Sequence, residues 1–103
     1  MGLETRVWGS KSTPTLFTTV PRMVRDQLAL TAEDRVVWRL DGSAAEVRRT
    51  DPGSPDGHVL YKQARSNSLY VAIPVSVSEQ LRFSARARAE WELLGSVARL
   101  RRA

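Results

Sequence analysis

Apolar and polar positions alternate from Leu16 to Val20, with Leu16, Thr18 and Val20 on one side and Phe17 and Thr19 on the other. The same alternation runs from Leu69 to Ile73, where Leu69, Val71 and Ile73 oppose Tyr70 and Ala72. A period of two is that of a half-buried strand. Each run ends in proline, at Val20-Pro21 and Ile73-Pro74, and the period then lengthens. Val24 and Leu28, like Val77 and Leu81, lie one turn apart and share one face of a short helix. Proline is expected at the first helical position, where its missing N–H would be unpaired anyway. Leu30 and Phe83 are placed to close over the helix ends. Alternation then resumes. Val36, Trp38 and Leu40 are expected inward against Arg35, Val37 and Arg39, and Ala89, Trp91 and Leu93 inward against Arg88, Glu90 and Glu92. Asp41-Gly42 and Leu94-Gly95-Ser96 supply the glycine a tight hairpin needs, and the return strands turn Ala45 and Val47, or Ala98 and Leu100, inward. Ahead of each unit, Arg6 to Trp8 and Val59 to Tyr61 align as one further short strand. The order is strand, strand, helix, strand, strand, twice over.

Displacing the chain by 53 residues superposes the first unit on the second without a gap, with 14 identities over 46 positions. Leu16/Leu69, Pro21/Pro74, Leu28/Leu81, Trp38/Trp91, Leu40/Leu93 and Gly42/Gly95 are among them. The identities fall mainly on inward or turn-forming positions, the signature of duplicated halves that pack against equivalent neighbours. Two copies would leave an open array uncapped, so the halves are expected to complete one another. The reading is one domain over residues 1–103, made of repeats 5–50 and 58–103 joined by the turn-rich linker 51–57. Whether Met1 to Gly9 completes a barrel or forms an arm stays open at this level.

The run Leu16 to Leu30, followed by Asp34-Arg35-Val36-Val37-Trp38, resembles the AbrB/SpoVT/MazE family, in which a strand ending Ile-Pro or Val-Pro leads to a short helix ending Leu-Gly-Leu, a Gly-Asp turn and a hairpin. Asn67 to Pro74, with Leu81, resembles the archaeal style of the same motif. The resemblance implies a mainly β fold with two short helices: a swapped-hairpin AbrB-type β-barrel formed by two internal ββαββ repeats as an intramolecular pseudo-dimer. It departs from the family at defined places. The Gly-Asp turn is Glu33-Asp34 and Arg86-Ala87, and the Gly of Leu-Gly-Leu is Ala29 and Arg82. The family's arginine four residues before the proline is Phe17 and Tyr70 here, and of the arginines four and five after it only Arg25 remains, facing Asp26, Ser78 and Glu79 elsewhere.

Composition narrows the function. The chain has 103 residues, no cysteine and a single histidine, His58, which excludes disulfides, thiolate metal sites and a thiol nucleophile and leaves no histidine pair for a metal. No cofactor is implied. No serine has a positioned base to activate it, so the protein is read as non-enzymatic. No apolar run approaches a membrane span of roughly 20 residues, and the expected location is the cytoplasm. Net charge is +5, and 14 of the 16 basic residues are arginine, which suits bidentate binding of phosphate. The basic residues placed for phosphate contact are Lys11 and Arg65, in the loops entering the long strands, with Arg22 and Arg25 on the first helix. Arg48, Arg49, Arg101 and Arg102 read as solvated strand ends, and Asp26, Glu33, Asp34, Asp41 and Glu46 as salt-bridging acids. Trp38 and Trp91 are expected in the core. Phe17 and Tyr70 face outward, either to contact DNA or a protein partner or to pack beneath the N-terminal strand. The leading expectation is an AbrB-like DNA-binding regulator or chromatin-associated factor whose partner is duplex DNA. The alternative is a protein-interaction module, adaptor or antitoxin-like, with a protein partner. A monomeric pseudo-dimer and a further homo-dimer are both compatible with the sequence.

Overall fold

The computed structural model describes residues 3–64 and 66–103. Its elements follow the order β1 (Leu3–Gly9), β2 (Leu16–Val20), α1 (Arg22–Gln27), β3 (Arg35–Asp41), β4 (Ala44–Thr50), β5 (His58–Lys62), β6 (Leu69–Ile73), α2 (Val75–Leu81), β7 (Arg88–Leu94) and β8 (Val97–Arg102). The eight strands form a closed antiparallel barrel in the order β1-β2-β6-β5-β3-β4-β8-β7. Closure gives every strand two neighbours, although β3 meets β5 only at Arg35 and Val36, and β1 meets β7 through Leu3 to Arg6 and β2 through Val7 to Gly9. Leu3 to Gly9 is therefore a barrel strand, paired with β2 on one side and with β7 on the other.

The ladders repeat their register along the chain. Val7 faces Thr18 and Trp8 faces Phe17 in β1–β2, while Leu60 faces Val71 and Tyr61 faces Tyr70 in β5–β6. Trp38 faces Val47 in β3–β4, and Trp91 faces Leu100 in β7–β8. The two central ladders bring the halves together: Leu16 to Val20 run against Leu69 to Ile73, and Ala44 to Arg48 against Val97 to Arg101. Each helix also reaches the far hairpin. The Gln27 side-chain amide donates to the Gly95 carbonyl at 3.1 Å, and that of Gln80 to the Gly42 carbonyl at 3.5 Å.

The core is built from the inward positions. Val7, Val20, Val36, Val47, Leu60, Leu69, Val71, Ile73, Trp91 and Leu100 are buried, and Val24, Leu28, Val77 and Leu81 fill it from the helices. Leu30 and Phe83 close over the helix ends as expected. Here the chain turns sharply: the Leu30 N–H donates to the Arg25 carbonyl and the Phe83 N–H to the Ser78 carbonyl, each at 2.9 Å. Such a closure puts the residue after the helix in the left-handed region, where glycine is usual. Ala29 at φ 54° and Arg82 at φ 58° occupy it instead, and Arg86 has φ 75°. These three positions hold left-handed turns without glycine.

Details differ from the sequence expectation. Pro21 and Pro74 sit one residue outside the helices, at the N-caps, where their carbonyls accept from Arg25 and Ser78 at 2.9 Å. Leu40, expected inward, is 39% exposed, because the tip of the β3–β4 hairpin extends past the core. Trp38 is only half-buried, whereas Trp91 is buried. The Trp91 indole donates to Thr5 Oγ1 at 3.1 Å, Thr5 and Thr18 share a hydroxyl hydrogen bond of 2.8 Å, and Thr18 donates to the Arg6 carbonyl at 3.0 Å. That chain satisfies Thr18, which is fully buried. The position equivalent to Thr5 is His58, and the buried Trp38 Nε1 has no partner among the described residues. The linker from Asp51 to Gly57 is a pair of turns. It ends in glycine because a Cβ at Gly57 would lie 2.7 Å from the Cβ of Arg35.

Candidate nucleic-acid interface

Because β2 and β6 are antiparallel, the loop after β5 and the loop after β1 lie at opposite ends of this strand pair. At one end, Arg22, Arg25 and Asp26 of α1 face Val20, Asn67, Ser68 and Leu69 across a solvent-open groove of about 400 Å³. Arg25 is half-buried and its Nη1 donates to the Asn67 carbonyl at 2.5 Å, which fixes one wall of the groove. Arg22 is exposed and makes no ion pair among the described residues. At the other end a groove of about 440 Å³ has Val75, Ser78 and Glu79 of α2 in the places of Arg22, Arg25 and Asp26, with Arg82 beside them and Pro14 and Leu16 opposite. The backbone is shared and the charge is not.

The four expected phosphate-binding residues are therefore not one cluster. Arg22 and Arg25 are together. Lys11 is exposed in the loop after β1, at the opposite end of β2. Arg65 lies outside the described residues, in the loop whose Asn67 and Ser68 line the Arg22 groove.

Ion pairing elsewhere explains which cations are available. Arg48 pairs with Glu46 at 3.5 Å, Arg49 with Asp34 at 3.9 Å, Arg88 with Glu4 at 3.3 Å and Arg99 with Asp41 at 2.5 Å. Arg101 hydrogen-bonds Glu90, which raises its already high pKa through that bond and through its charge. Asp34, Asp41 and Glu46 thus act as salt-bridging acids as expected, whereas Asp26 and Glu33 have no such pair among the described residues. Residues 1–30 and 58–83, which carry β1, β2, β5, β6 and both helices, hold seven Lys and Arg against three acids. The remainder holds nine against eight. Nearly all of the uncompensated charge belongs to one half of the barrel.

The outer face of that half holds a feature the sequence reading only partly found. Phe17 and Tyr70 face outward as expected, and Trp8 and Tyr61 from the flanking strands join them. Trp8 and Phe17 stack with centroids 6.1 Å apart, and Tyr61 and Tyr70 stack at 5.1 Å. Phe17 and Tyr70 meet edge-on at 5.9 Å, and Trp8 reaches Tyr70 at 5.6 Å. The N-terminal strand lies beside Phe17 in the sheet and contributes Trp8 to the same face, leaving the rings partly open to solvent. A shallow groove of about 520 Å³ next to the rings is lined by Trp8, Lys62, Gln63, Ala64, Ser66 and Tyr70.

Among the described residues, no helix is long and apolar enough to cross a membrane. His58 is exposed at the start of β5. In comparisons with known proteins, no family model, no curated protein and no solved structure matches this chain.

Proposed function

We propose that the protein is a non-enzymatic DNA-binding protein of the AbrB-like type, its barrel a swapped-hairpin pseudo-dimer of two ββαββ repeats. The repeated registers and the reciprocal reach of Gln27 to Gly95 and Gln80 to Gly42 support the pseudo-dimer, since each helix holds the hairpin of the other repeat. Duplex phosphates are contacted by Arg22 and Arg25, with Arg65 and Lys11 adding further contacts. The observation that carries this reading is the placement of Arg22 and Arg25 in one open groove on the half of the barrel where positive charge is uncompensated. Contacts of this kind position a protein on the backbone and carry little base information.

Fluorescence anisotropy with a labelled random-sequence duplex over a salt series tests it. Binding is expected to weaken linearly in log–log form, with a slope of about −0.9 per phosphate neutralised. Absence of duplex binding at low salt refutes the reading.

A further inference from the structure

We propose that the four-ring plate of Trp8, Phe17, Tyr61 and Tyr70 is a binding site for single-stranded nucleic acid, made of different side chains from the Arg22–Arg25 groove although the two border successive residues of one loop, Ser66 and Asn67. An aromatic surface left open on a protein's outside marks a contact site. Here Tyr61 is 42% exposed and the neighbouring Val59 43%. The outward positions of β2, β5 and β6 contain no acid, the exposed Glu4 of β1 is paired with Arg88, and the small residues Ala72 and Thr19 stand opposite Phe17 and Tyr70 in the β2–β6 ladder.

Charge selects the occupant. Lys62 lines the groove against Trp8 and Tyr70, and Arg6 is exposed on β1, two residues from Trp8. A second copy of this chain would bring the same surplus of cations against itself, so self-association through this face is opposed by like charge. An anionic partner that presents flat rings is favoured. Duplex DNA hides its base faces in its own stack. An unpaired strand offers them, and its phosphates reach the flanking cations while its bases lie on the rings. Stacking of this kind tolerates any sequence because every base has a π-face.

The test uses the full chain, a labelled oligothymidine single strand and the labelled duplex in parallel titrations. Replacing one ring is expected to weaken single-strand binding about five- to hundredfold, the range that stacking losses span, and to leave duplex binding within about twofold. Tyr61→Ser and Trp8→Leu are read as a pair, with near-ultraviolet circular dichroism reporting the fold, so that failure of one to fold leaves the other informative. Tyr61→Phe keeps the ring and is expected to bind as the parent does. Conversely, Arg22→Ala lowers duplex affinity and leaves oligothymidine binding intact, so that the two sites fail separately. The proposal is overturned if the parent does not bind oligothymidine at low salt, or if folded Tyr61→Ser and Trp8→Leu bind it as tightly as the parent. It is equally overturned if sedimentation shows a dimer that these substitutions dissociate while single-strand affinity stays unchanged.

Discussion

The two ends of the β2–β6 pair share a backbone and differ in chemistry. Below one end, α1 presents Arg22, Arg25 and Asp26 toward Asn67; below the other, α2 presents Val75, Ser78 and Glu79 toward Pro14. Their inward residues hardly differ, with Val24 and Leu28 at one end and Val77 and Leu81 at the other, all buried. Close packing restricts the interior, while outward positions are free to diverge. The fold therefore provides two equivalent platforms, and the side chains on top decide what each does.

The largest effect expected from breaking this equivalence concerns the tryptophans. Trp91→Ala should destabilise the barrel by about 3–5 kcal/mol in urea denaturation, since it empties a buried site, and it also removes the donor to Thr5. Trp38→Ala should cost about 1 kcal/mol less, because Trp38 is half-buried and its indole N–H has no partner among the described residues to lose. Equal losses would show that the halves share stability more evenly than their burial indicates.

Exchanging surface chemistry between the ends comes next. Arg22→Val with Arg25→Ser copies the α2 end onto α1, and the duplex salt dependence should flatten by about 0.9 for each phosphate contact removed. Val75→Arg does the reverse at a position that is 53% exposed, and should steepen it by the same amount. An unchanged slope in both variants would remove these grooves from the DNA contact.

The smallest effect lies in the backbone. Ala29 and Arg82 hold left-handed conformations that cost L-residues roughly 1–2 kcal/mol, part of which glycine returns as unfolded-state entropy. Ala29→Gly and Arg82→Gly should each stabilise the fold by up to about 1 kcal/mol, seen as a rise of a few degrees in Tm. A fall in Tm would mean that the Cβ contacts there outweigh the strain.

Element order was legible because each change of period is local: alternation, proline, helical spacing, and glycine at the hairpin tips. The Lys11 separation and the aromatic plate were not, for one reason. Both depend on β2 lying antiparallel to β6, a pairing between residues 53 apart at its centre, Thr18 with Val71. Local spacing marks Phe17 and Tyr70 as outward but says nothing of Trp8 and Tyr61 standing beside them. Leu40 failed differently. Its parity with Val36 is right, but parity does not tell where a hairpin runs out of core to cover it. Arg25 was legible as a basic residue on α1, whereas its bond to the Asn67 carbonyl joins two segments that no sequence pattern links.

The barrel closes by pairing its first strand with its seventh. A ribosome releasing this chain from the N-terminus cannot close the structure until β7 has emerged, so β1 spends most of synthesis with an unpaired edge. During that interval the edge is open to the β7 of another chain, and crowded synthesis would favour exchanged dimers built from the same contacts. An exchanged dimer would keep the contacts of the single-chain barrel and change its connectivity alone, so dilution during refolding is expected to favour the single chain.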